Sequence, residues 1–185
     1  MRKLFLFMMI SLDGYFEGPE QDLSWHNVDA EFNAFAAAQL GEVDTLLFGR
    51  KTYDLMASYW PTEQGLHDDP VIAKLMNEKR KFVVSHNLTD PKWQNTKAIT
   101  ENVKNVISKM KAEDGQDIAI FGSNNLATTL IGEGLIDELR VMVSPIVITK
   151  GSAFLHELPS RLTLQLIATR PFANGNVLLT YRPKV

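Results

Sequence analysis

The stretch Thr45–Leu55 constrains the fold of this chain more than any other segment. Thr45–Phe48 is a short apolar run typical of a buried strand, Gly49 ends it, and Arg50 opens a segment that can turn helical. The first N–H groups of such a helix are unpaired, and the helix dipole favours negative charge there. This order predicts either an anion site, with Arg50 and Thr52 as donors, or an ordinary structural turn.

The same arrangement occurs a second time further along the chain. Ile118–Phe121 predicts another buried strand, and Leu126 to Ile131 predicts a helix. The residues between them supply hydroxyl and amide groups close to the helix start, namely Gly122, Ser123, Asn124 and Asn125. Two such turns suit two parts of one long anionic ligand, such as a dinucleotide diphosphate, and the alternative is a pair of structural turns.

Several further short apolar runs predict strands. Lys3–Ser11 is continuously apolar, as in a strand that is buried on both faces of a parallel sheet, and Thr96–Ile99 suits an edge strand. Phe82–Val84 is followed at its carboxyl end by Ser85 and His86. Ligands of open α/β sheets bind beyond these ends, so both residues are site candidates, although a solvated loop histidine is the simpler interpretation of His86.

Helical spacing appears between these runs. Asp29 is placed to cap a helix through Leu40, and a helix that begins near Asn102 extends to about Ala112. Pro70 suits the first turn of another helix, with an apolar side made by Val71, Leu75 and Met76 and a basic C-terminal end at Lys79–Lys81. The segment before it, Thr62–Asp69, is predicted to be a polar loop.

The C-terminal third changes pattern. A strand is predicted up to Val143, with an interruption at Ser144–Pro145 and a continuation at Ile146–Ile148. Leu162–Thr169 and Val177–Tyr181 then flank the tight turn Asn174–Gly175, as in an antiparallel hairpin. The sequence therefore predicts one α/β domain over residues 1–185: a three-layer αβα sandwich whose mostly parallel sheet ends in an antiparallel C-terminal hairpin.

Composition excludes several classes of function. A formal net charge of −3 over 185 residues argues against nucleic acid as the main partner, because no basic excess is present. The absence of cysteine excludes disulfides and thiolate metal sites, and it fits a cytoplasmic protein. No apolar stretch is long enough to span a membrane. The four histidines lack the spacing of metal ligands, so no metal site is predicted.

A family resemblance rests on five stretches that occur in the family's order along nearly the whole chain. They are Ser11–Gly14, Leu47–Tyr53, Val84–His86, Ile120–Ser123 and Gly134–Leu139. With them the chain resembles the dihydrofolate reductase-like superfamily, and especially the stand-alone relatives of the reductase domain of the bifunctional riboflavin-biosynthesis deaminase/reductase. One departure is Ser123, where the family usually has the second glycine of a pair.

The resemblance implies an NADPH-dependent reductase. By position, Gly49, Arg50 and Thr52 are expected at the cofactor phosphates, and Ser85 and His86 are expected near the adenosine 2′-phosphate. The diphosphate is expected at the helix start formed by Gly122, Ser123, Asn124, Asn125 and Leu126. Asp13 is expected in a loop over the nicotinamide, either relaying a proton through water or simply forming a turn before Gly14.

The substrate is less constrained than the cofactor. The family default is the ribosylamino-pyrimidine phosphate of riboflavin biosynthesis, reduced at a CH–NH or C=N type group. Trp25, on the long loop after the first strand, is the candidate substrate contact. The alternatives are a binding protein without turnover and a dihydrofolate reductase, although the first helix offers no secure match for the acidic residue of that enzyme. The resemblance also implies a homodimer.

Overall fold

The central strand of the protein is β1 (Leu4–Ser11), and it is apolar because both of its faces are covered. The computed structural model describes residues 1–184. Leu4, Leu6 and Met8 point into one hydrophobic cluster, while Phe5 belongs to a second cluster on the opposite face of the sheet. Because successive side chains of a strand alternate between faces, a continuously apolar strand requires a layer on each side.

Seven further strands join β1 in one sheet: β3 (Val43–Gly49), β4 (Arg80–Val84), β5 (Thr96–Ile99), β6 (Asp117–Phe121), β7 (Glu138–Ser144), β9 (Leu164–Pro171) and β10 (Val177–Pro183). The order of the eight strands is β5-β4-β3-β6-β1-β7-β10-β9. The first six are parallel, and β10 runs antiparallel to both of its neighbours. A separate two-stranded sheet pairs β2 (Tyr15–Glu17) with β8 (Ser152–Ala153).

Helices cover both faces of the sheet, as the three-layer prediction requires. On one face lie α5 (Val103–Ala112) and α6 (Asn124–Gly132). On the other lie α1 (Ala30–Gly41), α2 (Arg50–Ala57) and α4 (Pro70–Glu78). The predicted fold class, the predicted antiparallel hairpin and its turn at Asn174–Gly175 are confirmed.

The segment predicted as a polar loop before Pro70 is wrong in part, because it contains the short helix α3 (Glu63–Asp68). The Thr62 hydroxyl accepts a hydrogen bond from the N–H of Gly65, which caps this helix. A side chain at Gly65 would lie 2.4 Å from the Tyr59 carbonyl oxygen, so the glycine permits the close approach. Because this segment is polar, its sequence shows no apolar helical face. The helix is instead marked by its side-chain cap.

The predicted surfaces of α4 need two corrections. Val71 is exposed, whereas Ile72, Ala73 and Met76 are buried, so the apolar face is turned by one residue. The predicted basic helix end is also wrong, because Arg80 and Lys81 belong to β4.

Lys81 nevertheless serves the end of α4. Its side chain is fully buried, and its ammonium donates to the carbonyl oxygens of Met76, Asn77 and Lys79. Burial lowers the pKa of Lys81 to about 8. A residue that follows the helix therefore caps it from the neighbouring strand.

The predicted continuation of β7 through Ile146–Ile148 is also wrong. Pro145 has no N–H to donate to a ladder, and the strand ends at Ser144. The chain then turns toward the first loop, where the Ile146 carbonyl accepts from the N–H of Leu12. This departure places residues 148–153 over the carboxyl end of the sheet.

Candidate functional site: a polar groove and an apolar cleft

Three neighbouring strands bring the predicted turns to one edge of the sheet. In the register of the parallel ladders, Gly49 of β3 lies beside Val84 of β4, and Leu47 lies beside Ile120 of β6. The turns after β4, β3 and β6 therefore emerge side by side. The two strand–glycine–helix turns, which are far apart in sequence, become adjacent.

The two helices that follow these turns lack side-chain caps. In contrast, α1, α3 and α4 are capped by Asp29, Thr62 and Asp69, whose side chains accept from backbone N–H groups of the first turn, while α5 is uncapped as well. Within the described chain, the N-cap residues of α2 and α6, Gly49 and Ser123, make no such bond. The first-turn N–H groups of both helices are thus left for another acceptor.

The two turns are hydrogen-bonded to each other. The N–H of Gly49 donates to the Ser123 hydroxyl oxygen at 2.8 Å. Ser123 holds the left-handed conformation with φ 68°, and Gly122 before it has φ 75°. A non-glycine residue in this region carries a strain of about 1–2 kcal/mol. The Ser123 hydroxyl therefore links two helix starts at the expense of local backbone strain.

A polar groove of about 440 Å³ runs along these turns. Its lining includes most of the predicted cofactor residues: Gly49, Arg50, Thr52, Ser123, Asn124, Asn125 and Leu126. Lys51 and His156 add basic groups, and Glu157 adds an acidic one. The side-chain oxygen of buried Asn124 accepts from the N–H of Leu155, which fixes the far wall of the groove to α6.

Arg50 is one of the cations that line the groove, and it is paired with Asp54. The guanidinium Nε lies 2.8 and 2.9 Å from the two carboxylate oxygens, one turn further along α2. Both side chains are about half exposed, so this pair contributes only a few tenths of a kcal/mol. Arg50 can therefore exchange Asp54 for a ligand phosphate at little cost.

Ser85 and His86 lie beside this groove without lining it. The Ser85 hydroxyl accepts from the N–H groups of Asn87 and Leu88, at 3.4 and 3.3 Å. The Nδ1 of His86 lies 3.2 Å from the carbonyl oxygen of Thr100. The structure thus places both residues one strand further out than Arg50, in the turn after β4.

On the other side of the turns is an apolar cleft of about 340 Å³. Its walls come from β1, β2, the following loop, α1, α2 with the turn after it, α4, and β6 with the turn after it. Aromatic rings are prominent among the lining residues, which include Phe7, Phe16, Phe32, Trp60 and Phe121. The centroids of Phe7 and Phe32 are 6.4 Å apart, and those of Phe7 and Phe121 are 6.1 Å apart. Such walls suit a flat apolar ring.

The groove and the cleft meet at a neck that is shared by both linings. Its residues are Phe16, Glu17, Thr52 and Ser123. The Ser152 hydroxyl donates to Glu17 at 2.7 Å across the β2–β8 pair. Gly151 is required beside it, since a side chain there would lie 2.1 Å from the Glu17 carbonyl oxygen. The β2–β8 pair therefore forms a fixed wall where the two cavities join.

Gly122, which was predicted with the groove residues, lines the apolar cleft instead. The other two predicted site residues, Asp13 and Trp25, lie outside both linings. The Asp13 carboxylate accepts from the N–H groups of Ile148 and Thr149, at 3.2 and 2.8 Å. The Ser11 hydroxyl, followed by these backbone groups, holds the pKa of Asp13 below its usual range. Asp13 thus ties the first loop to residues 148–149. The Trp25 indole donates to the Asp22 carbonyl oxygen at 3.0 Å.

His26, next to Trp25, lines the apolar cleft, and the sequence analysis did not select it. Its Nε2 is buried without a hydrogen-bond partner among residues 1–184. Burial lowers the pKa of His26, against a smaller opposing effect of Asp22. A lone loop histidine gives no spacing signal, so only the fold could reveal this position.

The backbone next to His26 is fixed from the opposite end of the chain. The Asn27 side chain donates to the Asn174 carbonyl oxygen at 2.7 Å. In return, the side chains of Asn174 and Asn176 donate to the Asn27 carbonyl oxygen at 3.1 and 2.8 Å. We call these three residues the asparagine clamp. The predicted hairpin turn thus holds the loop that carries His26.

The acidic residues at the start of α1 are engaged away from the cleft. Asp29 caps the helix, and Glu31 accepts from the Ala173 N–H and from Arg170. The face of α1 that lines the cleft presents Phe32, together with Ala36 and Gln39. Within residues 1–184, α1 therefore supplies no carboxylate to this cavity.

The described residues offer neither a metal site nor a membrane-spanning helix. In residues 1–184, no group of three or more histidine, aspartate or glutamate side chains is arranged to hold a metal ion. None of the described helices has the length and apolar character that crossing a bilayer requires.

Comparison with known proteins places this geometry in context. The family model of the RibD C-terminal domain matches residues 2–178. YyaP of Bacillus subtilis (strain 168) is 31% identical over 182 residues, which cover 97% of this chain and 94% of that protein. YwjB of the same organism is 25% identical over 175 residues, or 94% of each protein.

Solved structures share the fold. A putative riboflavin biosynthesis protein from Shewanella sp. PV-4 matches with a TM-score of 0.75 and 24% identity over 99% of both chains. Dihydrofolate reductase from Enterococcus faecalis, solved with NADP(H), matches with a TM-score of 0.64 and 17% identity, over 99% of this chain and 97% of that one. The expected dihydrofolate reductase-like architecture is confirmed.

Proposed function

The chain belongs to the RibD C-terminal domain family, which is a family of reductases, and we propose from this premise that it uses NADPH to reduce a small heterocyclic compound. The observation that carries the proposal is the junction of two unlike cavities at one neck. A dinucleotide needs a polar channel for its phosphates, and an organic substrate needs an apolar pocket. A reaction between them needs the two spaces to meet.

The polar groove fits the phosphates of a dinucleotide. The uncapped starts of α2 and α6 direct N–H groups into one channel, and Arg50 and Lys51 supply positive charge beside them. Gly49 and Gly122 leave room for a ligand to approach the backbone. A side chain at Gly49 would fill the space beside Ser123, and one at Gly122 would fill the space beside Thr52. Ser85 and His86, one strand further out, are proposed to face the adenosine end.

The chain's own contribution is to bind, orient and exclude water. When bound, NADPH supplies a hydride, which carries the reducing chemistry. Thr52 and Ser123 lie at the neck, where the reacting parts must come together. Asp13 is proposed to be a positioning residue, because its carboxylate anchors the first loop to residues 148–149. Trp25 is proposed to support the same loop beside the substrate.

The alternative of dihydrofolate reduction is disfavoured by the position of the acids on α1. Asp29 and Glu31 are both engaged in structural hydrogen bonds, and the cleft face of this helix is apolar apart from Gln39. The pyrimidine reduction of riboflavin biosynthesis remains the family default. Complementation of a strain that lacks that reductase tests it, and failure of well-expressed protein to restore growth would count against it.

The proposed activity is tested by NADPH oxidation with a panel of pyrimidine, pterin and quinone-like compounds. We expect turnover with at least one flat heterocycle and a strong loss in Arg50→Ala, measured as kcat/KM for NADPH. NADPH binding without turnover across the panel would favour the second candidate, a nucleotide-binding protein on the same fold. Failure to bind NADPH would remove the reductase proposal altogether.

A second copy of the chain is the proposed macromolecular partner. Edge strand β9 is exposed along nearly all of its length, and Leu166 and Ile167 are exposed by 51% and 44%. An unpaired apolar edge of this kind favours pairing between copies. Light scattering after size exclusion tests the proposal, and a clean monomer at micromolar concentration would refute the homodimer.

A further inference from the structure

The two cavities differ in their cations. The groove is lined by Arg50, Lys51 and His156, which suit a phosphate, together with the carboxylates of Glu17 and Glu157. Among the described residues that line the apolar cleft there is no lysine or arginine, and the only carboxylate is Glu17 at the neck. A phosphate monoester inside this cleft would be buried without a counter-charge, which is strongly unfavourable.

The polar groups that belong to the cleft alone are few. Thr52, Ser123 and Glu17 are shared with the groove, which leaves Gln39 and His26. Gln39 is 1% exposed, and its side-chain oxygen accepts from Arg140 at 3.2 Å. His26 is therefore the one cleft residue with a buried ring nitrogen that lacks a partner within residues 1–184.

An orphaned buried nitrogen of this kind has a cost of its own. Leaving a buried polar atom unpaired is unfavourable by about 1–3 kcal/mol, and a bound ligand that offers the complementary atom removes that penalty. The asparagine clamp holds the adjacent backbone, and the His26 N–H donates to the Leu23 carbonyl oxygen at 3.0 Å. These contacts hold the backbone, whereas neither ring nitrogen of His26 has a hydrogen-bond partner among residues 1–184, so rotation of the side chain can present Nε2 to a ligand in the cleft.

We propose that the apolar cleft takes an uncharged, unphosphorylated planar heterocycle, which is recognised by a hydrogen bond to Nε2 of His26. The aromatic walls supply stacking surface, and His26 supplies a directional contact. Burial lowers the pKa of this histidine, so the contact is made by a neutral imidazole. This inference rests on the proposed reductase function, because it identifies the class of compound that is reduced at the neck.

The test uses lumazine, a fluorescent uncharged two-ring heterocycle, in the presence of saturating NADPH. We expect saturable quenching by the wild-type protein and an affinity about tenfold lower in His26→Ala, the size of one lost hydrogen bond. His26→Gln, which keeps a polar group at this position, is expected to recover part of the loss. His67→Ala is the matched control, since its ring is 88% exposed on α3 and lies outside the described linings.

Two further readouts separate recognition from a merely structural effect. In nitrogen-15 spectra of the four histidine rings, lumazine should shift the Nε2 resonance of His26 and leave that of His67 in place. Uridine and uridine monophosphate, which differ by one phosphate, are then compared as competitors. The phosphate should add no affinity, because the cleft offers it no cation.

The possible outcomes are decisive. The inference is overturned if lumazine does not bind at millimolar concentration, if His26→Ala binds it as well as wild type, or if uridine monophosphate competes better than uridine. If NADPH itself does not bind, the reductase proposal fails. The lumazine titration without NADPH still measures whether His26 contributes to lumazine binding. If NADPH binds and lumazine does not, the present inference fails alone.

Discussion

The polar groove and the apolar cleft share a wall, but they are built in different ways. Most of the groove lining comes from two short turns, each contiguous in sequence, and its donors are mainly backbone N–H groups and exposed cations. The cleft is assembled from side chains of many segments, and its polar groups are few and mostly half-buried. Backbone N–H groups can bind a phosphate, which many nucleotides share. Recognition of a particular ring depends instead on individual side chains.

Removing the Arg50 guanidinium gives the sharpest test of the groove. Arg50→Ala should weaken NADPH binding by about ten- to a hundredfold, since a hydrogen bond to a charged group contributes about 1.5–3 kcal/mol. NADH should lose less if Arg50 faces the 2′-phosphate. Isothermal titration with both nucleotides measures the difference.

The matched control for this variant is Arg182→Ala, an exposed arginine on β10 in the other half of the sheet. It should bind both nucleotides as wild type does. An equal loss in the two variants would mean that only net charge matters, and the groove would lose its assigned role.

Ser123 tests how far the groove depends on backbone conformation. Ser123→Ala removes the acceptor for the Gly49 N–H but keeps a side chain at φ 68°, so stability should fall by about 1 kcal/mol. Ser123→Gly loses the same acceptor but relieves strain of about 1–2 kcal/mol. It should therefore be the more stable variant in urea unfolding, and equal stabilities would contradict the strained turn.

The half-buried histidine of the cleft should affect the pH dependence of stability. Because burial lowers the pKa of His26 in the folded state, the unfolded chain binds more protons once the pH falls through the ordinary imidazole pKa of 6.5. Wild type should lose stability between about pH 7.5 and pH 5.5, and His26→Gln should lose less. His67→Gln, at an exposed position, should follow wild type. The same pH dependence of stability in all three proteins would mean that the His26 ring is solvated in the folded state.

The smallest expected effect concerns the partner of Arg50. Asp54→Asn should raise NADPH affinity about twofold, because it removes an exposed ion pair that contributes about 0.3–0.5 kcal/mol and competes with the ligand. Calorimetry at low salt is sensitive enough to detect this. A fall in affinity would show that Asp54 orients Arg50 for the phosphate instead.

The contrast between the cavities also explains what the sequence could predict. The strand–glycine–helix turns at Gly49 and Gly122 are local patterns, so the strands, the helix starts and most groove residues were predictable. The hairpin around Asn174–Gly175 was predictable for the same reason. Each of these features depends on neighbours within a few residues.

Features made by distant residues were not predictable in this way. His26 became a cleft residue only because α1, β1 and β6 enclose it, and Asn27 gained its partners from a turn nearly 150 positions away. Lys81 caps a helix from the following strand, a role that helical spacing cannot indicate. Local patterns specify elements, whereas tertiary packing decides which side chains meet.

The most direct test of the central claim is calorimetric titration of wild type, Arg50→Ala and His26→Ala with NADPH. If the groove binds the dinucleotide and the cleft is a separate site, NADPH binds wild type and His26→Ala with similar micromolar affinity and binds Arg50→Ala far more weakly. If His26→Ala loses NADPH affinity as strongly as Arg50→Ala, or if NADPH does not bind wild type, the division into two sites is contradicted.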